Sequence, residues 1–177
     1  MKTVAIVQAR MESTRFPGKV MKTINGRTLI GLLLSRLAKS KKIDQIIVAI
    51  PKNSNNQKLV THIKREGYLV YEGSEDNVLN RYYEAAKKFN ADVVVRITGD
   101  CPLVDAKLVD DCVSRFHLNN ADYLSNLEPL SYPDGLDVEV FSFQTLKDAN
   151  NSAKSNFEKE HVTPYIKNFP KNLKTFL

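Results

Sequence analysis

The sequence predicts an α/β fold: a Rossmann-like, three-layer α/β/α domain with a mainly parallel sheet. Short runs rich in Val and Ile alternate with longer segments of helical periodicity, which is typical of repeated β-α-β units. The first run, residues 4–7, is continuously apolar, as strands are when helices cover both faces of the sheet. The 177 residues contain no repeat and no linker, so we expect a single domain over residues 1–177.

Six segments have the composition of strands, because they are apolar, enriched in β-branched residues and bounded by Pro, Gly, Asn or Asp. In chain order they are residues 2–8, 45–50, 68–71, 92–98, 121–125 and 136–143. Helical patterns separate the first five, which implies right-handed crossovers between parallel strands.

Six segments are predicted as helices from the spacing of their apolar residues. They are residues 28–41, 54–66, 77–89, 105–117, about 143–152 and 157–169. Ser54, Asp76 and Asp105 stand where a side chain caps the first backbone N–H groups of a helix. Gly67 follows the second helix, at the position where a left-handed residue ends many helices.

Composition excludes several classes of protein. Hydrophobic residues make up 42% and charged residues 26% of the chain, which does not fit disordered or fibrous proteins. No apolar run reaches the roughly 18–20 residues of a membrane span, so no membrane partner is expected. Cys101 and Cys112 form no CxxC pair and the three histidines are scattered, which argues against zinc. We therefore expect reduced thiols and a cytoplasmic location.

The formal net charge of +6 comes mainly from the N-terminal segment. Residues 1–42 hold ten Lys or Arg and one acid, whereas acids outnumber bases in residues 43–153. A nucleic-acid-binding surface would combine a basic stripe with interleaved aromatic residues, and the sequence has no such stripe. We therefore expect no nucleic-acid partner.

The loop after the first strand, residues 9–19, carries the strongest functional signal. Arg10, Arg15 and Lys19 supply three cations, and Ser13 and Thr14 supply hydroxyl donors. Guanidinium groups bind phosphate oxygens with two bonds, and lysine adds a compact charge. The loop lacks both a P-loop and a GxGxxG fingerprint. It is either a solvated charged loop or, as we predict, a site for a triphosphate.

Acidic residues stand at two other loops on the same predicted edge of the sheet. Asp100 follows the fourth strand, and Asp105 suits the role of helix cap, which leaves Asp100 for a hard cation such as Mg²⁺. In a strand over residues 136–143, Asp137 and Glu139 would share one face. That pair indicates a second metal ligand or a contact to substrate hydroxyls; the alternative is simple exposure on an edge strand.

Two further segments admit both a functional and a structural interpretation. Ser74 and Asp76 open the third helix, where they are either an ordinary cap or a polar edge that contacts a base. His161 lies in a helical pattern, where it either contacts a sugar or is an ordinary surface histidine.

Four segments together resemble one family. They are Val7 to Val20 (VQARMESTRFPGKV), Arg96 to Asp105, Tyr132 to Phe141 and Glu160 to Tyr165. The first is similar to the N-terminal signature of the sugar cytidylyltransferases, which include the 3-deoxy-manno-octulosonate and acylneuraminate enzymes. The order of the four resembles the spore-coat polysaccharide SpsF-like branch. Phe16 stands where leucine is usual, and members of the family continue for some tens of residues beyond the position of Tyr165.

The resemblance implies a nucleotide-diphospho-sugar transferase-like fold and a Mg²⁺-dependent transfer of CMP from CTP to an acidic or related sugar. Pyrophosphate would be released, and the product would serve surface polysaccharide or glycoconjugate synthesis. CTP and a sugar are the implied partners, with a homodimer as a further possible partner. The residues at the family's nucleotide-binding positions are Ala9, Arg10, Ser13, Arg15, Lys19, Ser74 and Asp76. Arg10, Lys19 and Asp100 are the implied catalytic residues, and Asp100 and Asp137 the implied metal ligands.

Two other functions stay open at this point. A glycosyltransferase of related fold would use a finished nucleotide sugar, but it would favour an Asp-x-Asp metal motif, to which Asp137-Val138-Glu139 is the nearest approach. A non-catalytic homologue would bind the nucleotide or another anion without turning it over.

Overall fold

The structure is a computed structural model that describes residues 1–13, 16–127 and 132–168. Its strands are β1 (Thr3–Gln8), β2 (Thr23–Ile24), β3 (Arg27–Thr28), β4 (Gln45–Pro51), β5 (Leu69–Gly73), β6 (Val93–Thr98), β7 (Tyr123–Ser125) and β8 (Glu139–Ser142). Its helices are α1 (Leu29–Leu37), α2 (Gln57–Arg65), α3 (Val78–Lys88), α4 (Ala106–Leu118), α5 (Phe143–Ser152), α6 (Asn156–His161) and α7 (Pro164–Asn168). Within these described ranges, no helix has the length and apolar character needed to cross a membrane.

Six strands form one sheet in the order β5-β4-β1-β6-β8-β7. β5, β4, β1 and β6 are parallel neighbours, which confirms the prediction of a mainly parallel sheet. β8 runs antiparallel to both β6 and β7, a reversal that the sequence does not predict. The described residues between β7 and β8 contain no helix. Parallel neighbours need a long crossover, usually helical, so this connection favours an antiparallel pair.

Helices cover both faces of the sheet. In β1, Ala5 and Val7 belong to the apolar cluster with α1, α2 and α4, whereas Val4 and Ile6 belong to the cluster with α3, α5 and α7. All four side chains are fully buried, which explains why the run is continuously apolar instead of alternating. The three-layer α/β/α prediction is confirmed.

Several helix caps differ from those expected. Asn53, not Ser54, caps the short 3₁₀ turn that leads into α2. Asn77, not Asp76, caps α3 by accepting a hydrogen bond from the backbone N–H of Asn80 at 2.9 Å. Asn, Asp and Ser cap helices about equally well, so composition alone cannot choose between neighbours. Asp105 caps α4 as predicted.

Two predicted helices end differently in the structure. α1 ends at Leu37 instead of residue 41. The pattern over residues 157–169 is divided into α6 and α7 at Val162, whose φ is 71°. There the backbone N–H of Thr163 donates to the carbonyl of His161 at 2.8 Å, across a single intervening residue. Such a three-residue turn is rare for a β-branched side chain, and it separates the surface helix α6 from the buried Ile166 of α7.

A small hairpin, β2–β3, is absent from the predicted elements. Its turn is Asn25-Gly26, and both residues have positive φ, 50° and 77°. Asn-Gly is the preferred pair for a two-residue turn of this kind. The signal was therefore present, although the two-residue strands are too short for an apolar pattern.

Candidate active site

A cavity of about 430 Å³ lies where β1 and β6 end at the carboxyl edge of the parallel strands. This is the edge at which α/β sheets bind ligands. The β1 strand and the loop after it contribute Gln8, Ala9, Arg10, Glu12, Ser13, Lys19 and Val20. The remaining lining residues are Val78, Arg81, Arg96, Thr98, Gly99, Asp100, Glu160 and His161.

The cavity brings together many of the residues singled out in the sequence. Those that line it are Ala9, Arg10, Ser13, Lys19, Asp100 and His161. Ser74, Asp76, Asp137 and Glu139 are not among its lining residues. Arg15 lies outside the described residues. The structure therefore unites the first loop with the end of β6, but leaves the proposed base contacts outside this cavity.

Lys19 and Asp100 form an ion pair across the mouth of the cavity. The Lys19 Nζ atom lies 2.7 Å from Asp100 Oδ2, and the two side chains are 29% and 47% exposed. Lys19 opens a short 3₁₀ turn directly after Gly18, whose φ is 68°. Partial burial alone would raise the pKa of Asp100, but the hydrogen bond and charge of Lys19 hold it below its ordinary value. The carboxylate is therefore ionised and already paired with one cation, the Lys19 ammonium group.

The pKa of Asp137 is shifted in the opposite direction from that of Asp100. It precedes β8, so it does not share a strand face with Glu139 as predicted. Burial raises the pKa of Asp137, and the negative charges of Asp134, Glu139 and Asp100 add to this effect. Repulsion between nearby carboxylates is relieved by a cation.

The donor set fits Mg²⁺ but is small. Asp100 and Asp137 supply hard carboxylate oxygens, and Mg²⁺ is commonly bound by one or two carboxylates together with phosphate oxygens and water. In the described part of the chain, no three His, Cys, Asp or Glu residues are grouped as a metal site. The arrangement therefore suits a metal that arrives with a nucleotide, more than a site built from protein ligands alone.

We expect Asp100 to titrate below its ordinary pKa and Asp137 above it, so that Asp137 takes up a proton first as the pH falls. Adding Mg²⁺ with CTP should lower the pKa of both carboxyls, because a nearby cation favours the charged form. Carboxyl ¹³C NMR measures both values, with Asp100→Asn and Asp137→Asn assigning the signals. A lower pKa for Asp137 than for Asp100 would contradict the electrostatic account.

A buried ion pair lies next to the cavity, and one of its members, Arg96, lines the cavity wall. Arg96 of β6 pairs with Glu139 of β8 in direct register, and its Nη2 atom donates to Gln8 Oε1 at 3.3 Å. The Tyr123 hydroxyl donates to Glu139 Oε1 at 2.7 Å. Burial alone would raise the pKa of Glu139, but Arg96 and Tyr123 lower it.

Glu139 was predicted to contact a sugar, but the structure buries it in contact with Arg96 and Tyr123. Its side chain is only 2% exposed, and both carboxylate oxygens accept hydrogen bonds from the protein. It is not an exposed edge-strand residue either. The signal for this pair was a charged residue, Arg96, within the otherwise apolar run of β6.

Asparagines after β4 tie three loops together at the same edge. The fully buried Asn56 accepts a hydrogen bond from the backbone N–H of Met11 at 2.8 Å and donates to Glu12 Oε2 at 3.3 Å. Asn53 donates to Glu75 Oε2 at 2.9 Å. The Asn-rich stretch over residues 53–56 was the available signal, and its role in shaping the first loop went unrecognised.

Ser74 is exposed and accepts a hydrogen bond from the backbone N–H of Asn77 at 3.1 Å. This bond belongs to the turn that precedes α3, so Ser74 stabilises the turn, whereas Asn77 caps the helix itself. The roles of Ser74 and Asp76 in nucleotide binding stay predictions.

A cavity with a cationic loop at the carboxyl edge of the sheet is typical of enzymes that bind nucleotides. Comparison with protein families assigns the chain to such a class. The profile of the cytidylyltransferase family matches residues 4–177. The chain belongs to this family, which confirms the resemblance seen in its motifs.

Particular relatives narrow the assignment to a branch. The spore coat polysaccharide biosynthesis protein SpsF of Bacillus subtilis is 34% identical over 170 residues, covering 93% of this chain and 70% of the relative. The structure of a cytidylyltransferase from Leptospira borgpetersenii superposes with a TM-score of 0.94 at 34% identity, covering 99% of this chain and 75% of that one. A CMP:2-keto-3-deoxy-manno-octonic acid synthetase complexed with CTP shares the fold, with a TM-score of 0.80 at 16% identity over 99% of this chain and 89% of that one.

Proposed function

We propose that the protein is a Mg²⁺-dependent cytidylyltransferase that transfers CMP from CTP to an acidic or related sugar and releases pyrophosphate. The observation that carries this proposal is the meeting of Arg10, Lys19 and Asp100 in one cavity at the carboxyl edge of the sheet. Membership of the cytidylyltransferase family supports CTP as the nucleotide. Fewer observations bear on the identity of the sugar than on that of the nucleotide.

In the proposed reaction, an oxygen of the sugar attacks the α-phosphorus of CTP. The bond between that phosphorus and the bridging oxygen of the β-phosphate breaks, pyrophosphate leaves, and the sugar oxygen gives up its proton to the solvent. Negative charge is spread over the phosphate oxygens during transfer. Arg10 and Lys19 would bind these oxygens, and preorganised cations stabilise such charge where it develops.

Mg²⁺ would be held by Asp100 and Asp137, and when bound it neutralises phosphate charge and helps to align the leaving group. Lys19 Nζ lies 2.7 Å from Asp100 Oδ2. Lys19 would therefore exchange this carboxylate for a phosphate oxygen when CTP binds. The ion pair thus keeps both side chains at the cavity mouth.

The sugar would lie toward α6. Glu160 and His161 line the cavity from this helix, and the His161 ring lies 4.5 Å, centre to centre, from the ring of Phe157. Phe157 is 62% exposed. Polar groups beside an exposed aromatic ring suit a sugar, whose hydroxyls and apolar ring face need both kinds of contact.

The proposal includes a cytoplasmic location and a role in surface polysaccharide or glycoconjugate synthesis. Both described cysteines, Cys101 and Cys112, are free thiols, which fits a reducing compartment. The named function of SpsF, spore coat polysaccharide biosynthesis, supports the polysaccharide role. A homodimer stays a prediction.

The test is to incubate the protein with CTP, Mg²⁺ and a panel of 2-keto sugar acids and neutral sugars, and to measure pyrophosphate. We expect release that requires CTP, Mg²⁺ and one sugar together. ATP, GTP and UTP serve as matched nucleotide controls, and omission of sugar controls for hydrolysis of CTP.

Three other results would contradict the proposal in different ways. Binding of CTP without turnover across the panel would indicate a non-catalytic homologue. Preferential binding of a nucleotide sugar, with transfer of its sugar, would indicate the glycosyltransferase alternative. If no nucleotide changes the melting temperature, the nucleotide site itself is wrong.

A further inference from the structure

Arg81 is a buried cation that lines the cavity, and no sequence motif indicates it. It lies on α3, its residue is 3% exposed, and it lines the cavity together with Arg10. A charged side chain is seldom buried unless it is paired. The contacts of Arg81 therefore show whether an acidic partner balances its charge.

The guanidinium of Arg81 contacts only backbone carbonyls. Its Nη1 atom donates to the carbonyl oxygen of Ser74 and, at 3.5 Å, to that of Glu75. Its Nε atom is buried and has no hydrogen-bond partner among the described residues. Within the described ranges no carboxylate forms an ion pair with it, and the nearby negative charge of Glu75 only partly offsets the effect of burial on its pKa. Two carbonyls leave most of its five donors unused.

A second guanidinium adds to this excess of positive charge. Burial lowers the pKa of Arg81, and the positive charge of Arg10 contributes in the same direction. Arg10 itself is exposed and, within the described ranges, no ion-pair partner is recorded for it. Glu12, Asp100 and Glu160 also line the cavity, but within the described ranges none of them forms an ion pair with either guanidinium. An anion that both guanidinium groups can contact would therefore stabilise them.

The path of the Arg81 side chain is set by the absence of a side chain at Gly73. A Cβ atom at Gly73 would lie 3.0 Å from Arg81 Cγ and 2.7 Å from Tyr71 Cε1. The stem of Arg81 therefore packs directly on the end of β5, and its head is held between that strand and the cavity. A cation fixed in this way binds an anion with little loss of side-chain entropy.

We propose that Arg81 and Arg10 form a paired guanidinium site that binds a phosphate group of the nucleotide. The inference rests on the proposed function and adds a residue to it. The bound chemistry is an oxyanion, which a nucleotide phosphate or a sugar carboxylate would supply. Phosphate is favoured because Arg10 lies on the same loop as Lys19, a further cation that lines the cavity.

The test measures dissociation constants by calorimetry for CTP, cytidine, inorganic pyrophosphate and a 2-keto sugar acid. The proteins are wild type, Arg81→Met, Arg81→Lys and, as a matched control, Arg65→Met. Arg65 ends α2 and is exposed. Loss of a charge-assisted hydrogen bond should weaken binding of CTP and pyrophosphate about 10- to 100-fold in Arg81→Met. Cytidine should bind equally well, Arg81→Lys should recover part of the loss, and Arg65→Met should resemble wild type.

Several outcomes would overturn the assignment. Equal weakening of cytidine and CTP would mean that Arg81 acts only by supporting the loop at Ser74 and Glu75. Selective loss of the sugar acid would assign the pair to a carboxylate instead. Unchanged CTP binding in Arg81→Met would remove Arg81 from the site while the proposed function stands.

Two further results distinguish a failure of the arginine pair from a failure of the proposed function or of folding. If wild type binds pyrophosphate but not CTP, and Arg81→Met loses pyrophosphate, the anion pair stands and the choice of nucleotide falls. If the variants do not fold, ¹⁵N-arginine NMR of the wild type decides. Pyrophosphate, but not cytidine, should shift the Arg81 Nε–H signal, and an unmoved signal would overturn the pair.

Discussion

Lys19→Met is expected to lower the rate of pyrophosphate release from CTP by about 100- to 1,000-fold, the cost of removing one preorganised donor to developing charge. The ammonium group already lies at the cavity mouth, 2.7 Å from Asp100. Methionine keeps the apolar stem of the side chain and removes the charge. The rate is measured by coupled pyrophosphate detection at saturating CTP, once the sugar substrate has been found.

Folding should survive this change, which makes the loss interpretable. Partly exposed ion pairs contribute only about 0–1 kcal/mol, so the melting temperature should move little. Lys22→Met is the matched control, because Lys22 is exposed, lies outside the cavity and contacts the Phe16 ring at 5.7 Å. Equal rates for the two variants would show that Lys19 does not bind the transferred phosphate.

Glu139→Leu is expected to lower the free energy of unfolding by about 3–5 kcal/mol, because it leaves Arg96 charged and buried without its partner. The Tyr123 hydroxyl, 2.7 Å from Glu139 Oε1, loses its acceptor as well. Urea denaturation followed by circular dichroism measures the loss. Replacing both partners, in Arg96→Met/Glu139→Leu, should recover most of it, since a buried pair is often no more stabilising than apolar residues.

An exposed ion pair provides the matched control for this prediction. Arg115 and Asp111 lie 2.9 Å apart on α4, with side chains 49% and 51% exposed. Asp111→Asn should cost less than about 1 kcal/mol. A loss in Glu139→Leu as small as that in Asp111→Asn would contradict a buried, charged Arg96.

The pH dependence of stability follows from the same pair. The folded protein holds the pKa of Glu139 below its ordinary value, so the contribution to stability is complete above the pKa of the unfolded chain. It is lost as the pH falls through the folded pKa. Acid should therefore destabilise wild type more than the double variant.

The sequence predicts the framework well because the framework depends on local patterns. The apolar runs at 2–8 and 92–98 agree with β1 and β6 to within a residue. Once both strands are parallel neighbours, the loops after them must meet. Lys19 and Asp100 are therefore brought together although 81 positions separate them.

The rest depended on partners that no local pattern identifies. Glu139 resembles an edge-strand acid until β8 is placed antiparallel beside β6, where it faces Arg96. Arg81 resembles any charged helix residue until Gly73 and the Ser74 carbonyl are beside it. Charged residues inside apolar patterns were the available signals, and each required the tertiary fold before its partner was known.

The division of the cavity wall among distant segments has a consequence for the life of the chain in the cell. Lining residues run from Gln8 to His161, so a growing polypeptide cannot complete the cavity wall until α6 has left the ribosome. A ligand that contacts the whole wall can therefore bind only after α6 has been made, and it stabilises the fold by an amount that grows with its concentration relative to its dissociation constant. A higher concentration of such a ligand would thus lower the fraction of unfolded chain on which proteases act.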